Sequence, residues 1–191
     1  MASLRGTQTE KNLLTSFAGE SQARNRYSFF AGAARKEGFM QVADIFLETA
    51  EQEKEHAKRM FQFLQGGEVT ITAAFPAGVI GTTPANLQAA AAGEHHEWSQ
   101  LYPAFAATAR SEGFADVAAM YTAISVAENG HQQRYLALAA NLEAGRVFQR
   151  ETPAVWRCRN CGYLHEGAGA PKTCPACLHP QAYFELFAQP Y

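Results

Sequence analysis

The chain has 191 residues, 47% of them hydrophobic, with 16 Lys and Arg against 18 Asp and Glu and a net charge of −2. That length suits one large or two small domains, and the charge balance leaves no electrostatic footprint for nucleic acid. No apolar run reaches 18 residues and the opening MASLRGTQTEKNLL has no apolar signal core, so neither a membrane span nor an export signal is expected, and a cytoplasmic location is.

The first helix is expected from about Thr9 to Lys36, with Leu13, Phe17, Ala18 and Tyr27 facing inward, and Gly38 ends it. A second runs from Gln41 to about Leu64, where Val42, Ile45, Phe46, Ala50, Phe61 and Leu64 recur at helical spacing. Gly66-Gly67 stops it. Residues 67–83 (GEVTITAAFPAGVIGTT) mix β-branched residues, glycines and Pro76, and read as an extended connection. Such a segment can span up to ~55 Å, the length of a helical bundle. Thr83-Pro84 opens a third helix, with threonine at the cap and proline in the first turn. Gly113 ends it, and a fourth helix runs from Ala115 to about Glu143, before Gly145. Residues 146–153 read as a linker. The tail from Ala154 to Tyr191 holds turn residues, aromatics and all four cysteines. The expected fold class is mainly α: a four-helix bundle over residues 1–146 and a small metal-knuckle domain over residues 153–191.

Glu-centred motifs recur at matched distances from the two glycine turns. They are Glu20 in AGES, Glu53 and His56 in EKEH, Glu94 and Glu97 in EHHE, and Glu128 and His131 in ENGH. Residues three apart share a helix face, so E-x-x-H aims a carboxylate and an imidazole at one point. Glu20 lies 18 residues before Gly38, with Glu53 and His56 15 and 18 after it. Glu94 and Glu97 lie 19 and 16 before Gly113, with Glu128 and His131 15 and 18 after it. Each helical hairpin therefore brings its donors to one level, ~25 Å from its turn. So many carboxylates in a bundle core require cations, and two metal ions account for them.

The two hairpins are also an internal repeat. AGE at 18–20 matches AGE at 92–94, an offset of 74, whereas ARKEGF at 34–39 matches ARSEGF at 109–114, an offset of 75. One extra residue thus lies between Glu94 and Ala109. An insertion inside a helix commonly produces a π-bulge, and one is expected between Glu97 and Ala109. Glu97 aligns with Ala23, so the fifth carboxylate has no counterpart in the first hairpin, and the two metals should be inequivalent.

In the tail, Cys158-Arg-Asn-Cys161 and Cys174-Pro-Ala-Cys177 form two C-x-x-C turns. Four thiolates give a tetrahedral site for zinc or a single iron, which the spacing does not decide. Trp156, Tyr163, Tyr183 and Phe184 are expected to shield it.

The order of motifs, Glu, E-x-x-H, E-x-x-E, E-x-x-H, then CRNCGY and CPAC, resembles the rubrerythrin family over essentially the whole chain. The bundle alone resembles the wider ferritin-like di-iron group, and the cysteine pattern alone resembles rubredoxin or a zinc ribbon. The resemblance implies a single iron on Cys158, Cys161, Cys174 and Cys177, and a bridged di-iron centre in the bundle. It implies Glu53 and Glu128 as bridges, Glu20 as a terminal ligand of one iron, and Glu94 and His131 as ligands of the other. Glu97 and His56 match a pair that trades places on the first iron with oxidation state. The implied activity is reduction of hydrogen peroxide to water by a head-to-tail homodimer, fed by an external donor such as a reductase or rubredoxin. A ferroxidase or iron-storage protein, and a zinc-ribbon interaction protein on a ferritin-like scaffold, are the competing readings.

Plainer roles fit other residues. His95 and His96 point ~100° and ~200° away from Glu94, and His165 and His179 are expected on exposed loops. Glu51 and Glu55 are expected to be solvated or salt-bridged, and Phe29, Phe30, Phe39 and Phe46 to be core. Tyr27 and Tyr102 can either fill the core or hydrogen-bond a ligand carboxylate. Gly130 interrupts the last E-x-x-H, where it costs a helix ~1 kcal/mol relative to Ala unless it permits close backbone packing.

Overall fold

The computed structural model describes residues 3–189. Helix α1 spans Gln8–Lys36 and α2 spans Met40–Phe61. Thr7 caps α1, its hydroxyl accepting from Glu10 N, while Glu10 reaches back to Gly6 N at 2.7 Å; a threonine cap contributes about 1 kcal/mol. At the turn, Gly38 has φ 84°, Phe39 N donates to Ala34 O and Gly38 N to Arg35 O. These bonds satisfy carbonyls that the helix end leaves free, and the left-handed φ calls for glycine. The same pair of bonds recurs at Gly113, also φ 84°, from Phe114 to Ala109 and from Gly113 to Arg110. The sequence repeat is thus a repeat of hairpins.

Residues 67–82 cross between the hairpins as an extended strap with no helix or strand. Phe75 lies against α1, 3.5 Å from where a Cβ on Gly19 would stand. Helix α3 spans Thr83–His96, followed by a π turn at Glu97–Leu101, α4 at Tyr102–Ser111 and α5 at Ala115–Glu143. The π turn lies where the offset between the repeats requires an extra residue. The chain enters α3 one residue earlier than expected, with Thr82 as cap and Thr83 in the first turn. Thr82 makes no side-chain cap bond; instead Asn86 pairs with both N and O of Gly81.

Two apolar clusters fill the bundle. One surrounds Tyr27, Phe30, Phe46, Leu87 and Tyr135, and the other surrounds Leu13, Met60, Tyr102, Tyr121 and Ile124. The Glu and His motifs lie between them, so the polar centre is plugged at either end. Two aromatics expected inside are exposed: Phe29 at 53% and Phe61 at 58%. Phe29 directly precedes the inward-facing Phe30, and Phe61 ends α2, which stops three residues short of Leu64. Adding a Cβ at Gly130 would meet nothing within 4 Å, so close packing does not explain that glycine; α5 runs unbroken through it.

Strand β1 (Gln149–Cys158) pairs antiparallel with β2 (Leu164–Gly169) and with β3 (Phe184–Leu186). Residues 149–153, read as linker from the sequence, belong to β1, which is irregular between Gln149 and Ala154. Trp156 and Phe184 are buried with Cys158 and Cys174, and Tyr163 and Tyr183 pack against them. This small sheet docks at the Gly38 end of the bundle. Phe148 stacks on Phe39 with centroids 6.3 Å apart, and Arg159 Nη2 donates to Asp44 Oδ2 at 2.7 Å. Among the described residues, no helix is long and apolar enough to cross a membrane.

Candidate metal centres

Helical spacing carries six of the seven bundle donors into two overlapping clusters. Glu20, Glu53, His56 and Glu128 form one, and Glu53, Glu94, Glu128 and His131 the other, with the donor atoms of each within 4.8 Å of one another. Glu53 and Glu128 belong to both. His56 Nδ1 lies 3.1 Å from Glu53 Oε2 and 2.8 Å from Glu128 Oε1. His131 Nδ1 lies 3.2 Å from Glu53 Oε1 and 2.8 Å from Glu128 Oε2. Each shared carboxylate therefore gives one oxygen to each side. Glu97 is half-buried beside the clusters and belongs to neither.

The donors fit cations. Glu20 Oε2, Glu53 Oε1, Glu94 Oε2, both Glu128 oxygens and His131 Nδ1 are buried without a hydrogen-bond partner. His131 Nδ1 is close to Glu128 Oε2, but the two are not aligned as donor and acceptor; their lone pairs face a common space. Orphaned polar atoms at this density would cost several kcal/mol if nothing bound there.

Without metal, the cluster distorts its own protonation. Burial, then the charges of Glu53, Glu128 and Glu97, hold the Glu20 carboxyl well above its usual range. Burial and Glu53 push Glu94 up to about 8. For Glu53, burial works upward, but the adjacent imidazoles of His131 and His56 outweigh it and hold it at about 2. Burial opposes the charged form of each histidine, yet Glu128 and Glu53 raise His56 to about 10 and His131 to about 12. Protons thus stand in for cations.

The outer bonds orient the donors. Tyr27 donates to Glu94 Oε1 and Tyr102 to Glu20 Oε1, each at 2.5 Å. Each tyrosine serves the carboxylate of the other hairpin. His131 Nε2 is 3.0 Å from Gln52 Oε1, and Arg134 Nη2 donates to that same oxygen at 3.3 Å. An oxygen that receives Arg134 must accept from His131 too, so Nε2 carries the hydrogen and Nδ1 is left to bind. Gln52 and Arg134 escaped the sequence reading. They lie beside Glu53 and three residues after His131, which is the only signal they give.

In the tail, the four cysteines are unbridged. Their sulfurs form a third cluster, with Cys158 to Cys177 at 3.7 Å and Cys161 to Cys174 at 3.6 Å. A disulfide would need about 2.0 Å. A tetrahedron with metal–sulfur bonds of about 2.3 Å has edges of about 3.8 Å. The two turns match: Gly162 N bonds Cys158 O, Leu178 N bonds Cys174 O, and Gly162 and Leu178 have φ 80° and 62°. The His179 backbone N–H holds Cys177 down to about 6. The Tyr163 N–H favours the Cys161 thiolate, but the neighbouring sulfurs outweigh it and push Cys161 up to about 12. His179 is half-buried against Tyr183, and His165 is half-buried too, rather than exposed. His95 and His96 are exposed, and Glu51 and Glu55 pair with Lys54 and Lys58.

These features define a ferritin-like bundle with a carboxylate-bridged site for two metal ions, joined to a rubredoxin-like domain. A family model for rubrerythrin matches residues 11–139, and one for the rubrerythrin rubredoxin-like domain matches residues 156–185. The chain belongs to the rubrerythrin family. It is 61% identical over 186 residues to rubrerythrin of Nitratidesulfovibrio vulgaris, covering 97% of each chain. It is 61% identical over 183 residues to rubrerythrin of Porphyromonas gingivalis, covering 96% of this chain and 92% of that one. Partially reduced nigerythrin superposes with a TM-score of 0.63 at 30% identity, covering 97% of this chain and 88% of that chain. With the family shown, the carboxylate cage and the cysteine knuckle are iron sites.

Proposed function

We propose that the chain reduces hydrogen peroxide to water, with electrons entering through the four-cysteine iron, as a defence against oxidative stress. One observation carries the reading: a cage of carboxylates and histidines able to hold two ions shares a chain with a four-cysteine knuckle docked at the end of the bundle. Each peroxide takes up two electrons and two protons and yields two waters, so turnover needs an electron supply that iron storage does not. A ferrous pair held by the cage would supply the two electrons that this reduction needs.

In this reading Glu20, Glu53, His56 and Glu128 hold one iron, and Glu53, Glu94, Glu128 and His131 the other. Glu97 and His56 would compete for one position on the first iron, the anionic side chain suiting a ferric ion and the neutral one a ferrous ion. Cys158, Cys161, Cys174 and Cys177 hold the single iron. A cavity of about 390 Å³ under the strap is lined by Glu97, Tyr102, Gln22 and Phe75, and serves as the route for peroxide. Without metal, burial and the charges of Glu94, Glu128 and Glu53 keep the Glu97 carboxyl well above the usual range. The two apolar clusters exclude bulk water from either end of the cage. Residues 1–146 and 153–191 act as separate domains of a head-to-tail homodimer, reduced by an external reductase or rubredoxin. Four unbridged cysteines suit the reducing cytoplasm.

The test is anaerobic mixing of fully reduced protein, which holds three electrons per chain, with excess peroxide, compared with dissolved oxygen. Reoxidation of both centres should be much faster with peroxide. Faster reaction with oxygen, with ferric iron accumulating beyond the bound ions, would replace this reading with a ferroxidase.

A further inference from the structure

Glu97 stands apart from the other bundle donors, and a cation stands beside it. Arg26 of α1 lines the same cavity under the strap. Its neighbour Arg24 pairs with Glu51, and Arg134 pairs with Glu48. Arg26 has no ion-pair partner among the described residues, and its Nε is buried without a hydrogen bond. Its guanidinium lies 5.9 Å from the centre of the Tyr27 ring. A half-buried guanidinium with no anion is costly to keep.

Gly93 explains how Arg26 gets there. A Cβ at Gly93 would stand 3.7 Å from Arg26 Nη2, so the guanidinium rests against the bare backbone of α3. Gly93 lies one helical turn before Glu97. Its counterpart in the first hairpin, Gly19, leaves the same kind of notch, but Phe75 of the strap fills it. One notch thus admits a ring and the other a charge, and the charge is on the side of the unmatched carboxylate. Burial and three carboxylates work against the charged form of Glu97, and Arg26 works for it.

We infer that Arg26 is the positioning residue for Glu97, holding its carboxylate in the cavity, outside the cage, whenever His56 fills the ligand position. The inference rests on the alternation of Glu97 and His56 proposed above. The two groups are not in direct contact, so the attraction acts across the cavity they both line, and its loss should shift the balance between the two Glu97 positions by up to about tenfold.

The test uses iron-loaded wild-type, Arg26→Gln and Arg26→Lys proteins, crystallised oxidised and reduced. Reduced wild-type and Arg26→Lys crystals should show Glu97 in the cavity and His56 on the metal. In Arg26→Gln the ratio of outward to inward Glu97 should fall by up to about tenfold. The midpoint potential of the iron pair gives a second measurement, because the outward position belongs to the reduced state. Arg26→Gln should lower it, and should leave it unmoved in a Glu97→Gln background. An unchanged Glu97 rotamer, or an equal fall in potential in both backgrounds, would overturn the inference while leaving the alternation intact. Glu97 bound to metal in reduced wild-type crystals would overturn the alternation and the inference together.

Discussion

Tyr102 donates its hydroxyl to Oε1 of Glu20 at 2.5 Å, reaching from just past the π turn to the middle of α1. Tyr27 makes the mirror-image bond to Glu94. The pairs cross between hairpins, and each touches only one donor cluster, so removing either hydroxyl should act on one metal. Tyr102→Phe is predicted to weaken the metal beside His56, and Tyr27→Phe the metal beside His131, each by ~10–100-fold. Anomalous scattering from partially loaded crystals, which reports each position separately, checks this. Equal loss at both positions in either variant would contradict it.

The shared carboxylates make a sharper prediction. Glu53→Ala or Glu128→Ala should abolish the two-iron centre, because each residue gives an oxygen to both clusters. Glu20→Ala and Glu94→Ala should each spare the cluster that lacks the mutated residue. The colour of the cysteine-bound iron should survive in all four. Iron counting with visible spectra measures this, and normal iron content in Glu53→Ala would remove its assignment as a bridge.

The metal-free protein should lose stability as pH rises from about 5 to about 10. Glu94 ionises near 4.5 when unfolded but near 8 when folded, so the folded chain holds its proton through that window and the stabilisation fades across it. His56, raised from 6.5 to about 10, acts in the same direction, fully stabilising below 6.5 and lost as pH passes 10. Glu53, lowered from 4.5 to about 2, contributes above 4.5 and is lost only as pH falls toward 2. Metal reverses the trend, because binding displaces these protons. Calorimetry with chelator and with ferrous iron should show a gain in Tm on loading that is larger at pH 8 than at pH 5.5. A gain independent of pH would contradict the assignment.

Electron delivery is predicted to cross between chains. The tail docks at Asp44, nine residues before Glu53 on α2, which alone is ~14 Å along the axis. Mixing chains carrying Glu53→Ala with chains carrying Cys161→Ser should restore reductant-dependent peroxidase activity that neither homodimer has. Mixed dimers that form yet stay inactive would mean that electrons travel within one chain.

Much of the cage was legible because helical geometry is local. Counting from Gly38 and Gly113 sets the level of Glu20, Glu53, Glu94 and Glu128, and a one-residue change of offset marks the π turn. What the sequence hides is lateral. Nothing in the spacing says that Tyr27 reaches Glu94 rather than Glu20 on its own helix, or that Gln52 turns toward His131. Those contacts depend on how the hairpins lie against each other, as do the docking of Arg159 on Asp44 and the notch at Gly93. The exposed Phe29 and Phe61 were misread because apolar periodicity is blind to where a bundle face ends.

The strap between the hairpins is open to solvent at its far end: Val79 is 84% and Ile80 60% exposed. Each donor cluster takes residues from both hairpins. Iron held there would therefore crosslink the two halves of the chain. If a protease nicks the strap near Val79, the iron-loaded fragments should co-purify as one particle, and their separation on chelation would measure how much of the bundle's cohesion the metal supplies.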